Sequence, residues 1–383
     1  MKLPIDRLDH SLPWQSLPEL AGWTVEQAVA IQQIPAPTFY ERLRADYVAG
    51  QFRALGLQDI HTDEMYNVFG LLPGSKPGKP GLMISAHTDT IFPPDTDLTV
   101  RREPSVIYGP GLGDNSAGVA GLLALACYLK EQAITPRCDL WFVATTREEG
   151  LGDLGGMRAA FAHVRDRVDS VINLEGLAFG HIYHAGISVR RLHITAAVPG
   201  GHSWLHFGRP SAVHTIVTLG AKIAALEPVT SPRTTFNIGM IEGGDAINAI
   251  ATHAGLWLDM RSEDRDTLAA LEAQVMAAVD SLQAADVTFN IEVVGDRPAG
   301  GIPTDHPLVE GALAALARVG VRGVLETGST DANVPLSLGV PAVTIGLTRG
   351  GNAHRLDEYM ETEPVELGLR QLIVLVLAAA EAR

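Results

Sequence analysis

The stretch "GLMISAHTDT" (residues 81–90) decides how the rest of the chain is read. Its first residues form a short apolar run of the kind that makes a strand buried on both faces of a parallel sheet. His87 ends that run, and in open α/β sheets ligands bind beyond the carboxyl ends of the strands. The same tripeptide, His-Thr-Asp, also occurs at 61–63 in "QDIHTDEMYN". With 13 His and 44 acidic residues in 383 positions, a His-x-acid pair is expected by chance, so context must separate the copies. Polar residues follow His61, which reads as a solvated strand end or loop. The His87 copy reads as a site.

Working outward, "NVFGLL" (67–72) predicts a strand and "GSKPGKPG" (74–81) a turn-rich connector. "YGPGLGDNSAG" (108–118) is a Gly-rich loop that runs into a helix over 119–132. "CDLWFVATT" (138–146) is a strand ending at "REEG", and "SVINLEG" (170–176) is another. "PAVTIGL" (341–347) leads into "TRGGNAHRLDEYM", with a final helix from about 363. Upstream, "TVEQAVAIQQI" (24–34) reads as a helix, with Thr24 and Gln27 spaced as a capping box. The middle differs. Strand, helix, two strands, helix and strand follow in the order β-α-β-β-α-β, the split βαβ pattern. The expected fold is α/β, a mixed central sheet flanked by helices and built from 1–186 and 298–383. A ferredoxin-like α+β domain, 187–297, interrupts it.

Bulk properties agree with two domains. The chain is 46% hydrophobic and 19% charged, enough to bury sizeable cores. A net charge of −15 argues against nucleic acid or an anionic membrane surface as partner. The first residues lack the apolar run of a signal peptide, and "LIVLVLAAA" (372–380) is too short to span a bilayer. Cys127 and Cys138 form no Cys-x-x-Cys pair. The expectation is a reduced, cytoplasmic chain without a disulfide framework.

Four of the expected buried strands end in ligand-type residues: His87 and Asp89, Glu148 and Glu149, Glu175, and His354 in the loop after the last. Asp114 stands in the Gly-rich loop just before a helix. Carboxylates gathered on one sheet edge repel, and bound cations remove the repulsion. Imidazole and carboxylate suit zinc, manganese or cobalt. One carboxylate can bridge two metals, with a shared water between them. The symmetric allotment gives one metal His87, Asp114 and Glu175, and the other Asp114, Glu149 and His354. Each then keeps an open position, as catalytic sites do. Asp89 can accept the other ring N–H of His87 and fix its tautomer. Glu148, not needed as a ligand, can take a proton from the water and deliver it to a leaving amine.

"SAHTDT", "GDNSAG", "REEG", "NLEG" and "GGNAHRLDEYM", in this order around an inserted domain, resemble the co-catalytic zinc exopeptidases. That family contains glutamate carboxypeptidase, acetylornithine deacetylase, succinyl-diaminopimelate desuccinylase and tripeptide aminopeptidase. The resemblance runs from about residue 34 to the C-terminus and implies the same ligand set, two divalent ions (zinc, with cobalt or manganese compatible) and Glu148 as base. It also implies a cis peptide after Asp114 and a lid that mediates homodimerisation. The His of "GGH" (200–202), His202, would enter the partner's site to stabilise the oxyanion. Asn248 and Arg261 would bind the substrate carboxylate.

Two departures bear on the subfamily. Asn115-Ser116 follows Asp114, where the family often has Asp-Lys. Glu175 goes with carboxypeptidases and deacylases, whereas "GGNAHRLDEYM" is most similar to tripeptide aminopeptidase. The leading expectation is a dinuclear metallohydrolase cleaving an amide bond in small peptides or N-acyl amino acids. The alternative is an aminopeptidase acting on free N-termini. An inactive metal-dependent binding or scaffold protein is a remote third reading, against which the presence of Glu148, His202 and Arg261 argues.

Overall fold

The computed structural model describes residues 2–76 and 80–382; residues 77–79 of the expected connector lie outside them. The chain divides into two compact units, Met1–Gly186 with Gly300–Arg383, and Ile187–Ala299.

The first unit is a mixed sheet between two helical layers. Its strands run in the order 58–62, 68–72, 140–145, 81–87, 168–175, 342–346, 181–186 and 300–301, with 324–328 also paired to 181–186. The four in the middle, Leu140–Thr145, Gly81–His87, Val168–Glu175 and Ala342–Gly346, are mutually parallel. Three of them are mostly apolar, as strands covered on both faces are expected to be, while Val168–Glu175 also carries Asp169, Ser170 and Asn173. The strand ending at His87 is buried at every residue. One face is covered by the helices Leu17–Gln32, Arg42–Leu55, Gly118–Glu131, Pro307–Arg318 and Val365–Glu381. The other is covered by Gly155–Val164 and the short helix Asn333–Ser337. The apolar run at 372–380 is buried throughout as part of the last helix. Leu112–Glu131 is long and apolar enough to cross a membrane by composition, and it too is mostly buried inside this unit.

One local expectation fails. The helix expected to start at Thr24 starts at Leu17, with Pro18 in its first turn. A first-turn proline gives up only an N–H that has no helical partner anyway. Thr24 lies inside the helix, and its hydroxyl donates to the Leu20 carbonyl at 2.7 Å. The Thr-Gln spacing imitates a cap within a helix that has already begun.

The second unit is a four-stranded antiparallel sheet in the order 234–243, 253–262, 188–197 and 288–297. This is ferredoxin-like strand order, with the crossover helices Ala212–Ala224 and Arg265–Asp280. Ile216, Leu219, Ile223, Leu271, Val275 and Val279 of those helices pack on Leu192, Ile194, Leu256 and Leu258 of the sheet.

Candidate metal centre

The parallel strands deliver their carboxyl-end residues to one edge. His87 is in register with Thr145, and Gly346 with Glu175. The loops that leave these strands carry Glu148, Glu149 and His354. His87, Asp114 and Glu149 each offer a ligand atom within 4.8 Å of the others. The two oxygens of Asp114 face different ways. Oδ1 lies 3.2 Å from His87 Nε2, which is 3.5 Å from Glu175 Oε2. Oδ2 lies 3.1 Å from His354 Nε2, which is 3.0 Å from Glu149 Oε1. The five residues singled out from sequence thus stand as two sets sharing one carboxylate.

Backbone fixtures hold them. The Asp114–Asn115 peptide is cis. The Asn115 side chain spans a neighbouring peptide unit, donating to the Leu174 carbonyl at 2.8 Å and accepting from Gly176 N–H at 2.8 Å. It therefore clamps the Asp114 loop to the strand that ends at Glu175. Two glycines make room: a Cβ on Gly118 would collide with the Asn115 amide, and one on Gly176 with the Gly113 carbonyl. Asp89 accepts the backbone N–H groups of Glu148 and Glu149, both at 2.9 Å, and the Thr38 hydroxyl at 2.9 Å. Its carboxylate is 3.5 Å from His87 Nδ1. The Asp89 backbone carbonyl lies nearer that nitrogen, at 3.2 Å, and the carboxylate also shapes the turn carrying Glu148, which sequence reasoning did not foresee. Three more residues escaped the sequence reading. Buried Arg44 donates to the Thr88 carbonyl at 2.7 Å. Glu358 accepts from the Asp114 loop. Asp331 accepts the Thr145 hydroxyl at 2.5 Å, while its buried Oδ1 has no hydrogen-bond partner among the described residues.

The electrostatics are those of an anionic nest. Burial pushes the Glu149 and Glu175 carboxyls up to about 7; Asp114 and Glu148 add to the rise, and the nearby histidines oppose it. Burial would also raise Asp114, but hydrogen bonds from His354 and His87 bring it well below the usual range. His354 rises to about 10 through its bonds to Asp114 and Glu149. Burial opposes protonation of His87, yet Glu175, Asp114 and Asp89 outweigh it and raise its pKa. Imidazolium protons thus stand where positive charge is wanted. Two imidazoles and three carboxylates, one with an oxygen toward each set, are a donor set that fits two hard-to-borderline divalent ions.

His202, Asn248 and Arg261 belong to the second unit. His202 and Asn248 lie on one small ribbon, in which His202 pairs with Ala249 and Ser203 N–H donates to the Asn248 carbonyl at 3.1 Å. His202 Nδ1 accepts the Trp204 amide N–H at 3.1 Å. A nitrogen that accepts cannot carry the proton, so in the neutral ring the N–H is at Nε2. Arg261 is held by Asp259, Nε to Oδ2 at 2.7 Å, and Asp259 also receives Arg191.

Residues 83–378 match peptidase family M20/M25/M40. The succinyl-diaminopimelate desuccinylase of Corynebacterium glutamicum is 26% identical over 362 residues, covering 91% of this chain and 94% of that one. The acetylornithine deacetylase of Klebsiella pneumoniae is 27% identical over 354 residues, covering 86% and 88%. Among solved structures, the aminopeptidase PepT from Bacillus cereus shares the fold, with a TM-score of 0.75 at 22% identity over 94% of this chain and 99% of that one. The chain belongs to peptidase family M20/M25/M40 and is a hydrolase of amide bonds.

Proposed function

We propose, on the premise of that membership, that the chain is a dinuclear metallohydrolase. It removes an acyl or aminoacyl group from a small substrate that carries a free carboxylate. The observation that carries this reading is the pair of donor sets meeting at Asp114. His87, Asp114 and Glu175 would hold one divalent ion, and Asp114, Glu149 and His354 the other, with zinc the best fit to the donors. Such ions polarise the scissile carbonyl and acidify water.

The chain's own residues do the rest. Glu148, buried at the mouth of the "REEG" turn with its N–H fixed by Asp89, accepts the proton of the attacking water. It then returns that proton to the departing amine nitrogen. Asp89 orients the His87 ring. His202, protonated at Nε2, donates to the oxygen on which negative charge develops. Asn248 and Arg261 bind the substrate carboxylate, which requires Arg261 to share or leave Asp259. The lid is also the dimerisation element in this reading. Around His202 it presents Trp204, Phe207 and Ile247 at 84%, 92% and 103% exposure, and clustered apolar side chains in solvent mark interaction surfaces.

Glu175 and the desuccinylase and deacetylase relatives support the deacylase reading. The segment "GGNAHRLDEYM" favours a second one, an aminopeptidase. Zn2+-loaded enzyme assayed on N-acyl amino acids and on di- and tripeptides blocked at either end separates them. Turnover that tolerates a blocked amine and needs a free carboxylate is expected. A strict requirement for a free amine would replace this reading by the second. Glu148→Ala should keep both ions and lose most turnover.

A further inference from the structure

We propose that Glu358 is a positioning residue that sets the orientation of the Asp114 carboxylate. The proposal rests on the reading of Asp114 as the ligand shared by two ions. Glu358 lies four residues beyond His354 and is fully buried. Its Oε1 accepts the backbone N–H groups of Gly113 at 2.6 Å and Asp114 at 2.9 Å, and its Oε2 accepts Gly111 N–H at 3.2 Å. Its backbone carbonyl accepts Gly109 N–H at 2.8 Å. Converging amides of this kind form a concavity for an anion. Here the anion is a side chain of the protein, and the loop is moulded around it.

The consequence reaches both donor sets. Asp114 must aim Oδ1 at the His87 set and Oδ2 at the His354 set, so a small rotation of its backbone spoils one contact or the other. Its own N–H is tied to Glu358, which leaves the loop no freedom to turn there. Glu358 also shares a short segment with His354, and Tyr359 next to it pairs with Tyr108 at the start of the Asp114 loop. One carboxylate therefore fixes where the bridging ligand sits relative to His354. A residue that only stabilised the fold would not be expected to change how tightly the folded protein holds metal.

The test is a calorimetric titration of metal-stripped protein with Zn2+ for wild type, Glu358→Gln, Glu358→Asp and Asp114→Ala, beside kcat and KM. Gln has nearly the same shape but lacks the charge and one acceptor. Glu358→Gln should stay folded by circular dichroism and bind Zn2+ about 10–100-fold more weakly, the usual effect of losing a residue that orients a ligand. Its kcat should fall while KM stays within about twofold, since it binds no substrate. If Glu358→Gln does not fold, Glu358→Asp, which keeps the charge but withdraws it from the Gly113 and Asp114 amides, is judged on the same affinity scale. Unchanged Zn2+ affinity in the folded variant, with or without lower thermal stability, overturns the proposal. Asp114→Ala that still binds two Zn2+ with wild-type affinity would sink the shared-ligand reading and this proposal with it. Loss of affinity in Asp114→Ala alone sinks only the proposal.

Discussion

The two hydrogen bonds of the Asn115 side chain explain why an amide serves beside Asp114. It must donate to the Leu174 carbonyl and accept from Gly176 N–H at once. Asn115→Ala leaves both groups buried without a partner, at about 1–3 kcal/mol each. Urea unfolding of the metal-stripped variant should show that loss. Asn115→Asp should be no better, because an ionised carboxylate would face the Leu174 carbonyl with a second acceptor. The ligands make a separate prediction. At neutral pH, its hydrogen bonds to the Asp114 and Glu149 carboxylates keep His354 protonated, its pKa being raised to about 10. A divalent ion must displace such protons, so metal affinity should fall as pH falls and binding at pH 7 should release protons. Zn2+ titrations in buffers of different ionisation enthalpy count the protons; a release of zero would contradict the reading of His354 as a ligand.

At the scale of elements, one buried carboxylate gathers three helices. Asp9, in the helix Ile5–Ser11, receives Arg318 at 2.8 Å from one neighbouring helix and Arg370 at 2.7 Å from the last. Removing it strands two cations. Asp9→Ala should cost about 2–3 kcal/mol, less than breaking a fully buried pair because both guanidinium groups are partly exposed. Burial opposes ionisation of Asp9, but the two arginines hold its carboxyl below the usual range. Its stabilisation is therefore present above the unfolded-state value, about 3.9, and is lost as pH falls through the lower folded one. Chemical denaturation of wild type and variant at pH 7 and pH 3 should give a difference that shrinks in acid.

The elements around the site were legible because the parallel strands are largely apolar and lead into ligand-type residues at or beyond their carboxyl ends. His87, Glu149, Glu175 and His354 could be grouped on that ground alone. Glu358 and Asp331 could not. Their partners are backbone amides and a hydroxyl as far as 247 and 186 residues away, and no local spacing encodes such contacts. The misplaced helix start at Thr24 has the opposite cause, a local pattern without the geometry that gives it meaning.

For the whole molecule, the decisive question is whether His202 serves its own chain or its neighbour. A Glu148→Ala subunit and a His202→Ala subunit should each be nearly inactive, since one lost oxyanion donor costs about 10²–10³ in rate. Mixed and allowed to exchange, they should regain activity if the sites are shared, because one site of each mixed dimer then holds both native residues. No recovery despite proven exchange would assign His202 to its own chain or to no catalytic role. The insertion of the second unit has a further consequence. The first unit's chain leaves at Gly186 and returns at Gly300, and these two residues are antiparallel partners. Exit and re-entry thus already form the stem of a hairpin, and Asn-Gly is the sort of turn that closes one. Residues 187–299 are, in effect, an enlarged hairpin loop. A chain with that loop cut back to Asn-Gly should still fold and bind two Zn2+ ions, which would make the second unit a removable cassette on a self-sufficient metalloprotein.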